Sequence, residues 1–495
     1  MELTIERCLA ERMFKLAGVA PSPELVRLVM NLVEGAKDGH LCSLMDATDL
    51  PESLCSFGDD KNPFPKTPLV RSENRLYLQK NWAIETLILD KVKQLRDRKP
   101  QGLDKEVFDI EIAQMTSLQE AQVKALYMGF ENSLAIFTGG PGTGKTFTAS
   151  CFIRLLATQK TVGYKVVIAA PTGKAAAHLE GALKSQGPLP DALRCESMTL
   201  HRLLKLQPGM QRFKANLVID ADLVVVDEAS MLDPPLLLHL LNAIGPTTRL
   251  LLLGDPCQLP PIEGGSLFPE MAACFGQKLE RSIRMGDGDL FQLSQSILGG
   301  DLSAIGYESI SWDHVIDRVC EIMPNPVYAS EPDPRQCLEL QKQFRILCAL
   351  RQGPFGVDSL NQQLVSRFKD KQGWLCIPIL IIENNPKQQL YNGSTGVLIR
   401  SKAYFLFGTE LRMIPETSLP RYEPAFFLSV HKSQGSEFDE VVAVFPPGSD
   451  RFGREALYTA VTRAKKRLSL WIDAETLESA IQSSGMKRSG FSARL

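Results

Sequence analysis

The chain has 495 residues, with 55 Lys and Arg against 57 Asp and Glu, and a formal net charge of −2. Hydrophobic residues make up 44% and charged residues 23%, an ordinary globular composition that excludes a largely disordered chain. At ~100–200 residues per domain, the length predicts two to four domains. No apolar run approaches the ~18–20 residues of a membrane span. Met1 to Arg7 lacks the basic and apolar regions of a signal peptide. Eleven scattered cysteines, without a CxxC pair or a zinc-like spacing, are expected as the reduced thiols of a cytoplasmic protein. The near-neutral charge decides nothing about nucleic acid, because a basic groove can be balanced by acidic patches elsewhere.

Residues 1–115 carry no catalytic motif. Helical apolar spacing runs through Leu25, Leu28, Val29, Leu32 and Val33, and again from Trp82 to Leu95. Asp59 to Pro68, rich in Pro, Asp and Lys, is expected as a loop, and the whole stretch as a helical docking domain. From Leu118 short apolar strands alternate with amphipathic helices: Leu134–Phe137, Val166–Ala169, Leu223–Val226 and Leu250–Leu253. Continuous apolar runs ending in a small or acidic residue are expected of parallel strands buried on both faces. A second set follows at Phe426–Val430, Val441–Phe445 and Leu468–Ile472, so the chain is expected to be α/β with two units in tandem. Between the sets, Trp374 to Pro420 is strand-rich, with turns at Asn384-Asn385-Pro386 and Asn392-Gly393, pointing to a small β insertion. Ser483 to Leu495 is Ser, Gly, Lys and Arg-rich and is expected to fray.

The strongest chemical signal is Gly139-Gly140-Pro141-Gly142-Thr143-Gly144-Lys145-Thr146, a complete G-x4-G-K-T phosphate loop between a strand and a helix. Its glycines let backbone N–H groups curl around phosphate oxygens, Lys145 reaches the β and γ phosphates of ATP, and the Thr146 hydroxyl ligates Mg²⁺. About eighty residues on, the strand Leu223–Val226 delivers Asp227, a second Mg²⁺ anchor, and Glu228, which can orient and deprotonate water. The pair points to hydrolysis and not to nucleotide binding alone. A third strand end, Leu253-Gly254-Asp255-Pro256-Cys257-Gln258, puts Gln258 where it could sense the γ-phosphate. No Asn-Lys-x-Asp guanine-reading motif is present, and neither a GTPase nor a small kinase needs a second α/β unit. A regulatory subunit whose nucleotide merely switches an interface remains an alternative.

The run Ala169-Ala170-Pro171-Thr172-Gly173-Lys174-Ala175-Ala176, with Thr199-Leu200-His201-Arg202, Asp227-Glu228-Ala229-Ser230-Met231 and Gly254-Asp255, resembles superfamily 1 helicases. Val430-His431-Lys432-Ser433-Gln434-Gly435-Ser436-Glu437-Phe438 and Tyr458-Thr459-Ala460-Val461-Thr462-Arg463-Ala464 resemble motifs V and VI of the 5′→3′ branch. Leu347 to Val357, with Gly39-His40-Leu41-Cys42 and Arg75-Leu76-Tyr77-Leu78, is similar to the RecD family, the alpha subunits of exonuclease V.

The resemblance implies two RecA-like domains, at 116–285 and at 286–372 with 422–482. It also implies an SH3-like β insertion at 373–421 and a strand-splitting hairpin near 203–219, where Pro208-Gly209 forms a turn. It implies that Gln122 reads adenine, that Arg284 and Arg463 act as arginine fingers, and that Gly435 and Glu437 line the nucleotide cleft. Ile283 stands where many relatives carry an aromatic before the motif IV arginine. Pro171, Thr172, Thr199, His201, Ser429 and His431 are implied along a single-strand channel, where contacts to phosphate need no base reading. The implied partners are single- and double-stranded DNA and RecB-like helicase-nuclease and RecC-like scaffold subunits, with the nuclease centre on a partner. For His201 and His431 the plain alternative is a buried, satisfied imidazole.

Overall fold

The structure is a computed structural model, describing residues 4–45, 50–100, 102–159, 163–206, 217–261, 264–279, 288–323, 332–372 and 376–495. The first hundred residues hold helices at Pro23–Lys37 and Gln79–Asp97, where the apolar spacing places them, and a further one at Ile5–Ala17. They also hold four short strands, β1 (Cys42–Leu44), β2 (Cys55–Phe57), β3 (Leu69–Ser72) and β4 (Arg75–Leu78), in the order β1-β4-β3-β2. Strands of three or four residues leave too little alternation to be read in sequence.

The first α/β unit contains β5 (Leu134–Thr138), β6 (Tyr164–Ala170), β7 (Leu193–Thr199), β8 (Leu223–Val226), β9 (Arg249–Gly254) and β10 (Gly276–Lys278). They form one parallel sheet in the order β10-β5-β9-β8-β6-β7. Every residue of β5, β8 and β9 is buried, which is why their apolar runs are unbroken. The second unit is a parallel sheet of β11 (Phe344–Cys348), β17 (Phe427–Ser429), β18 (Phe438–Phe445) and β19 (Ala464–Ile472), ordered β17-β11-β18-β19. Edge strand β17 is closed by Asn361, whose amide donates to the Phe427 carbonyl at 3.0 Å and accepts from the Phe427 N–H at 3.0 Å. A side chain here does what a further strand would do.

Between β11 and β17 lie β12 (Ile377–Ile381), β13 (Thr395–Ile399), β14 (Lys402–Phe407), β15 (Glu410–Pro415) and β16 (Tyr422–Pro424). They form a separate antiparallel sheet ordered β15-β14-β13-β12-β16, where the β insertion is expected. The turn of the expected 203–219 hairpin falls at 207–216, outside the described residues. No helix among the described residues is long and apolar enough to cross a membrane.

The frayed tail expected at 483–495 is a packed strap. Glu455 of the second unit accepts from the Ser484 hydroxyl at 2.8 Å and the Gly485 N–H at 2.6 Å. The strap then pairs with the N-terminal region, Arg488 N–H donating to His40 Nδ1 at 2.9 Å and Leu41 N–H to the Arg488 carbonyl at 2.8 Å. Glu270 of the first unit accepts from Ser489 and from the Ser492 N–H and hydroxyl. Phe491 is fully buried, and Arg494 lies 3.6 Å over Trp82 while its guanidinium reaches Glu85 at 2.8 Å. Burial drives the Glu85 carboxyl upward, and the Arg494 charge opposes that rise. The composition looked solvated because each partner of the tail lies far away in sequence.

Breaking a buried pair from one side leaves a bare charge, at a cost of about 3–5 kcal/mol. Arg494→Met is therefore expected to lower stability by about that amount in urea titration, and adding Glu85→Gln to restore most of it. A loss below about 1 kcal/mol would show that the pair is not what holds the strap.

Candidate nucleotide and DNA site

Parallel strands joined by crossover connections present their carboxyl ends on one edge. On the first sheet that edge carries, strand by strand, the phosphate loop after β5, Asp255 after β9, Asp227 after β8, Pro171 and Thr172 after β6, and Thr199 closing β7. The Gly139 N–H bonds the Gly254 carbonyl at 3.3 Å and the Asp227 N–H bonds the Ala169 carbonyl at 2.9 Å, so the neighbouring loops are tied together. Gly142 and Gly144 take φ of 76° and 84°, left-handed values that let the loop curl before the helix Lys145–Thr158 begins. Lys145 Nζ donates to the Gly139 and Gly140 carbonyls at 2.5 and 2.9 Å, lying across the loop. Thr146 is in the first turn of that helix, whose N-terminus favours anions.

Asp227 is 8% exposed, and burial raises its carboxyl above the usual range; one oxygen accepts the Glu228 N–H at 2.9 Å. Glu228 has φ of 53°, a costly value for a residue with a Cβ and one that accumulates at functional sites. Burial first, then the Asp227 charge beside it, pushes its carboxyl up to about 7, while Arg463 and Lys145 pull against the rise. A carboxyl titrating near neutrality is suited to taking a proton from water.

The second unit closes on this edge along a hydrogen-bonded seam. Lys174 Nζ donates to Ser436 Oγ at 2.7 Å, and Leu259 N–H to Thr459 Oγ1 at 2.9 Å. Gln434 Nε2 donates to the Leu259 carbonyl at 2.8 Å, and the Tyr458 hydroxyl to Asp255 Oδ2 at 2.9 Å. Gly435, with φ of 69°, lies so close that a Cβ there would be 3.8 Å from Glu228 Oε1. Beside the phosphate loop this leaves a cavity of about 120 Å³, walled by Gly139, Gly140, Thr143 and Asp255 on one side and by Phe291, Tyr458 and Thr462 on the other.

Gln122 is 1% exposed; its Oε1 accepts the Gln119 N–H at 2.9 Å and its Nε2 is buried without a hydrogen-bond partner. Arg463 is buried and held by the Thr459 and Ser436 carbonyls at 3.1 and 3.2 Å, so its charge reaches Glu228 from a fixed place and not from a swinging side chain. Glu437 follows Ser436 in the loop before β18, its charge felt at Lys174. Arg284 lies in 280–287, outside the described residues.

Among the implied strand contacts, Thr172 and Thr199 cap helices, accepting the Ala175 and Arg202 N–H groups at 3.3 Å each. A capping hydroxyl still has its own hydrogen to give outward. His201 is exposed, which removes the buried-imidazole alternative for it. His431 is half-buried against Phe452, and burial lowers it to about 4, so it is neutral at ordinary pH. Ser429 is buried at the end of β17, accepting the Lys432 N–H at 3.3 Å. Tyr458, Asp255 and Gln434 carry the seam, although sequence reasoning assigned them no part; all three lie inside the quoted motifs.

A family model described as an AAA domain matches residues 122–263, and one described as a UvrD-like helicase C-terminal domain matches 424–471. The RecBCD enzyme subunit RecD of Mycolicibacterium smegmatis is 32% identical over 460 residues, covering 85% of this chain and 82% of its own. The chain belongs to the RecD family. A RecD subunit from Haemophilus influenzae is 30% identical, covering 74% of this chain and 71% of its own. The ATP-dependent RecD2 DNA helicase of Deinococcus radiodurans is 28% identical, covering 83% of this chain and 57% of its own.

For this RecD-family chain, the rate of ATP hydrolysis is expected to fall as pH drops through about 7, because a protonated Glu228 accepts no proton. Glu228→Gln should lower kcat by roughly 100-fold or more and flatten that limb in a steady-state pH profile. An unchanged acid limb in the variant would assign the titration to another group.

Proposed function

We propose that this chain is the ATP-driven 5′→3′ DNA helicase subunit of a RecBCD-type exonuclease V complex, acting in double-strand break repair and recombination. The observation that carries the reading is the carboxyl edge of the first sheet. There the phosphate loop, the acids and four of the six residues implied to touch DNA, Pro171, Thr172, Thr199 and His201, follow one another at the ends of five adjacent strands. The acid pair after β8 is thus one or two strands away from a grip on the nucleic acid, and the phosphate loop three or four.

In this reading Lys145 and the loop N–H groups hold the ATP phosphates, and the free amide end of Gln122 reads adenine. Thr146 and Asp227, a hydroxyl and a carboxylate, are hard oxygen donors suited to Mg²⁺, which when bound neutralises phosphate charge. Glu228 takes the proton of the attacking water, Gln258 orients that water, and Arg463 with Arg284 compensates the charge that develops. Pro171, Thr172, Thr199, His201, Ser429 and His431 line the path of the strand, with Gly435 and Glu437 between it and the nucleotide. Alternate opening and closing of the seam gives directed stepping.

RecB-like and RecC-like partners need a docking face, and the N-terminal region offers one. Eight of the fourteen exposed large apolar side chains of the described residues lie before residue 116, among them Ile5, Leu16, Phe57 and Phe64. Phe57 is 82% and Leu16 76% exposed, apolar area that a docked partner would remove from water.

ATP turnover by the purified chain is expected to rise strongly with single-stranded DNA and to be abolished by Lys145→Gln. Turnover indifferent to DNA would make the nucleotide a switch for an interface and sink the motor reading for the isolated chain.

A further inference from the structure

Gln258 carries a polar atom that the fold leaves unanswered. Its carboxamide is 5% exposed, with Nε2 donating to Asp255 Oδ2 at 3.3 Å and Oε1 buried without a hydrogen-bond partner. The two ends of a carboxamide have nearly the same shape, but only the nitrogen can face a carboxylate oxygen. Reversed, the group would set two acceptors against each other. Asp255 therefore decides which end of Gln258 points away from it.

Asp255 is itself oriented from two sides. Oδ1 accepts the Cys257 N–H at 3.0 Å within its own turn, whereas Oδ2 accepts the Tyr458 hydroxyl at 2.9 Å from across the seam. Tyr458 is 3% exposed on the helix Gly453–Val461, five positions before Arg463. A Cβ on Gly140 would lie 2.9 Å from its hydroxyl, so the phenol sits directly on the phosphate loop. Burial and the Asp255 charge hold the phenol far above its ordinary range, so it stays a donor at any working pH. One carboxylate oxygen thus collects a donor from the second unit and a donor from Gln258.

We propose that Tyr458 is a positioning residue for ATP hydrolysis. By way of Asp255 its hydroxyl fixes the Gln258 carboxamide with Oε1 free to accept from the attacking water, and it does so only while the two units are in contact. The inference rests on the ATP-hydrolysing reading above and adds a second signal of closure beside the Arg463 charge. When the seam parts, Oδ2 loses its stronger donor, Asp255 is freed to turn, and Gln258 loses its template.

The test is a double-mutant cycle on DNA-stimulated hydrolysis, comparing the unmodified chain with Tyr458→Phe, Gln258→Ala and the two combined. Tyr458→Phe keeps the ring and is expected to lower kcat about tenfold with KM for ATP within about twofold. In the Gln258→Ala background the same change should cost less than about twofold, since no carboxamide remains to be oriented. Full multiplication of the two losses, or a raised KM with kcat unchanged, overturns the inference. Should Tyr458→Phe fold poorly in thermal melts, Asp255→Asn serves instead. Its amide can donate as well as accept and lets Gln258 reverse, so the same non-additivity with Gln258→Ala is expected. An unmodified chain without hydrolysis sensitive to Lys145→Gln would overturn the functional reading itself, and this inference with it.

Discussion

Three carboxylates, Asp227, Glu228 and Asp255, end two neighbouring strands within reach of one another's fields, and much of the site answers that crowding. Removing like charges from water together is costly unless cations stand close. Lys145 supplies one from the phosphate-loop helix, and Arg463 supplies the other from the second unit. Closure of the seam is therefore charge compensation as well as packing. Arg463 and Lys145 both pull the Glu228 carboxyl back from the rise that burial and Asp227 impose on it.

The same edge explains why nucleotide chemistry and strand contact can share one sheet. Thr172 and Thr199 each cap a helix, so a strand phosphate at these proposed contacts would meet N–H groups and a hydroxyl. Contacts of this kind, as proposed, would read backbone and no base, in keeping with a motor that must cross any sequence. Ser429 and His431 stand at the end of β17 in the other sheet, so the groups proposed to face the strand are divided between the two units that the seam joins. His431 is neutral, and its contribution to a strand would be hydrogen bonding or packing and not charge.

Much of this was legible in the sequence because it is local. The phosphate loop, Asp227 with Glu228, and the apolar strands β5, β8 and β9 each declare themselves within ten residues. β7 was missed because its residues alternate with partial exposure at a sheet edge, and β10 because three residues make no pattern. The seam was invisible for a different reason. Tyr458 and Asp255 are 203 positions apart, and nothing local to a Tyr or an Asp says which distant group it will meet. The motif singles out Arg463, but its fixed placement by backbone carbonyls is a tertiary fact. The tail failed most completely, since composition reports solubility and not the acidic side chains waiting elsewhere.

That strap gives the molecule a timetable. Glu85 and Arg494 are 409 positions apart, and the carboxylate is buried only where the guanidinium meets it. At about 5–20 residues per second, a ribosome leaves Glu85 without its counter-ion for roughly 20–80 s. Throughout that interval the N-terminal region lacks the strap, one of the contacts that fasten it to the body. Its exposed apolar side chains, Leu16 and Phe57 among them, are then offered to the cell ahead of a finished ATP site.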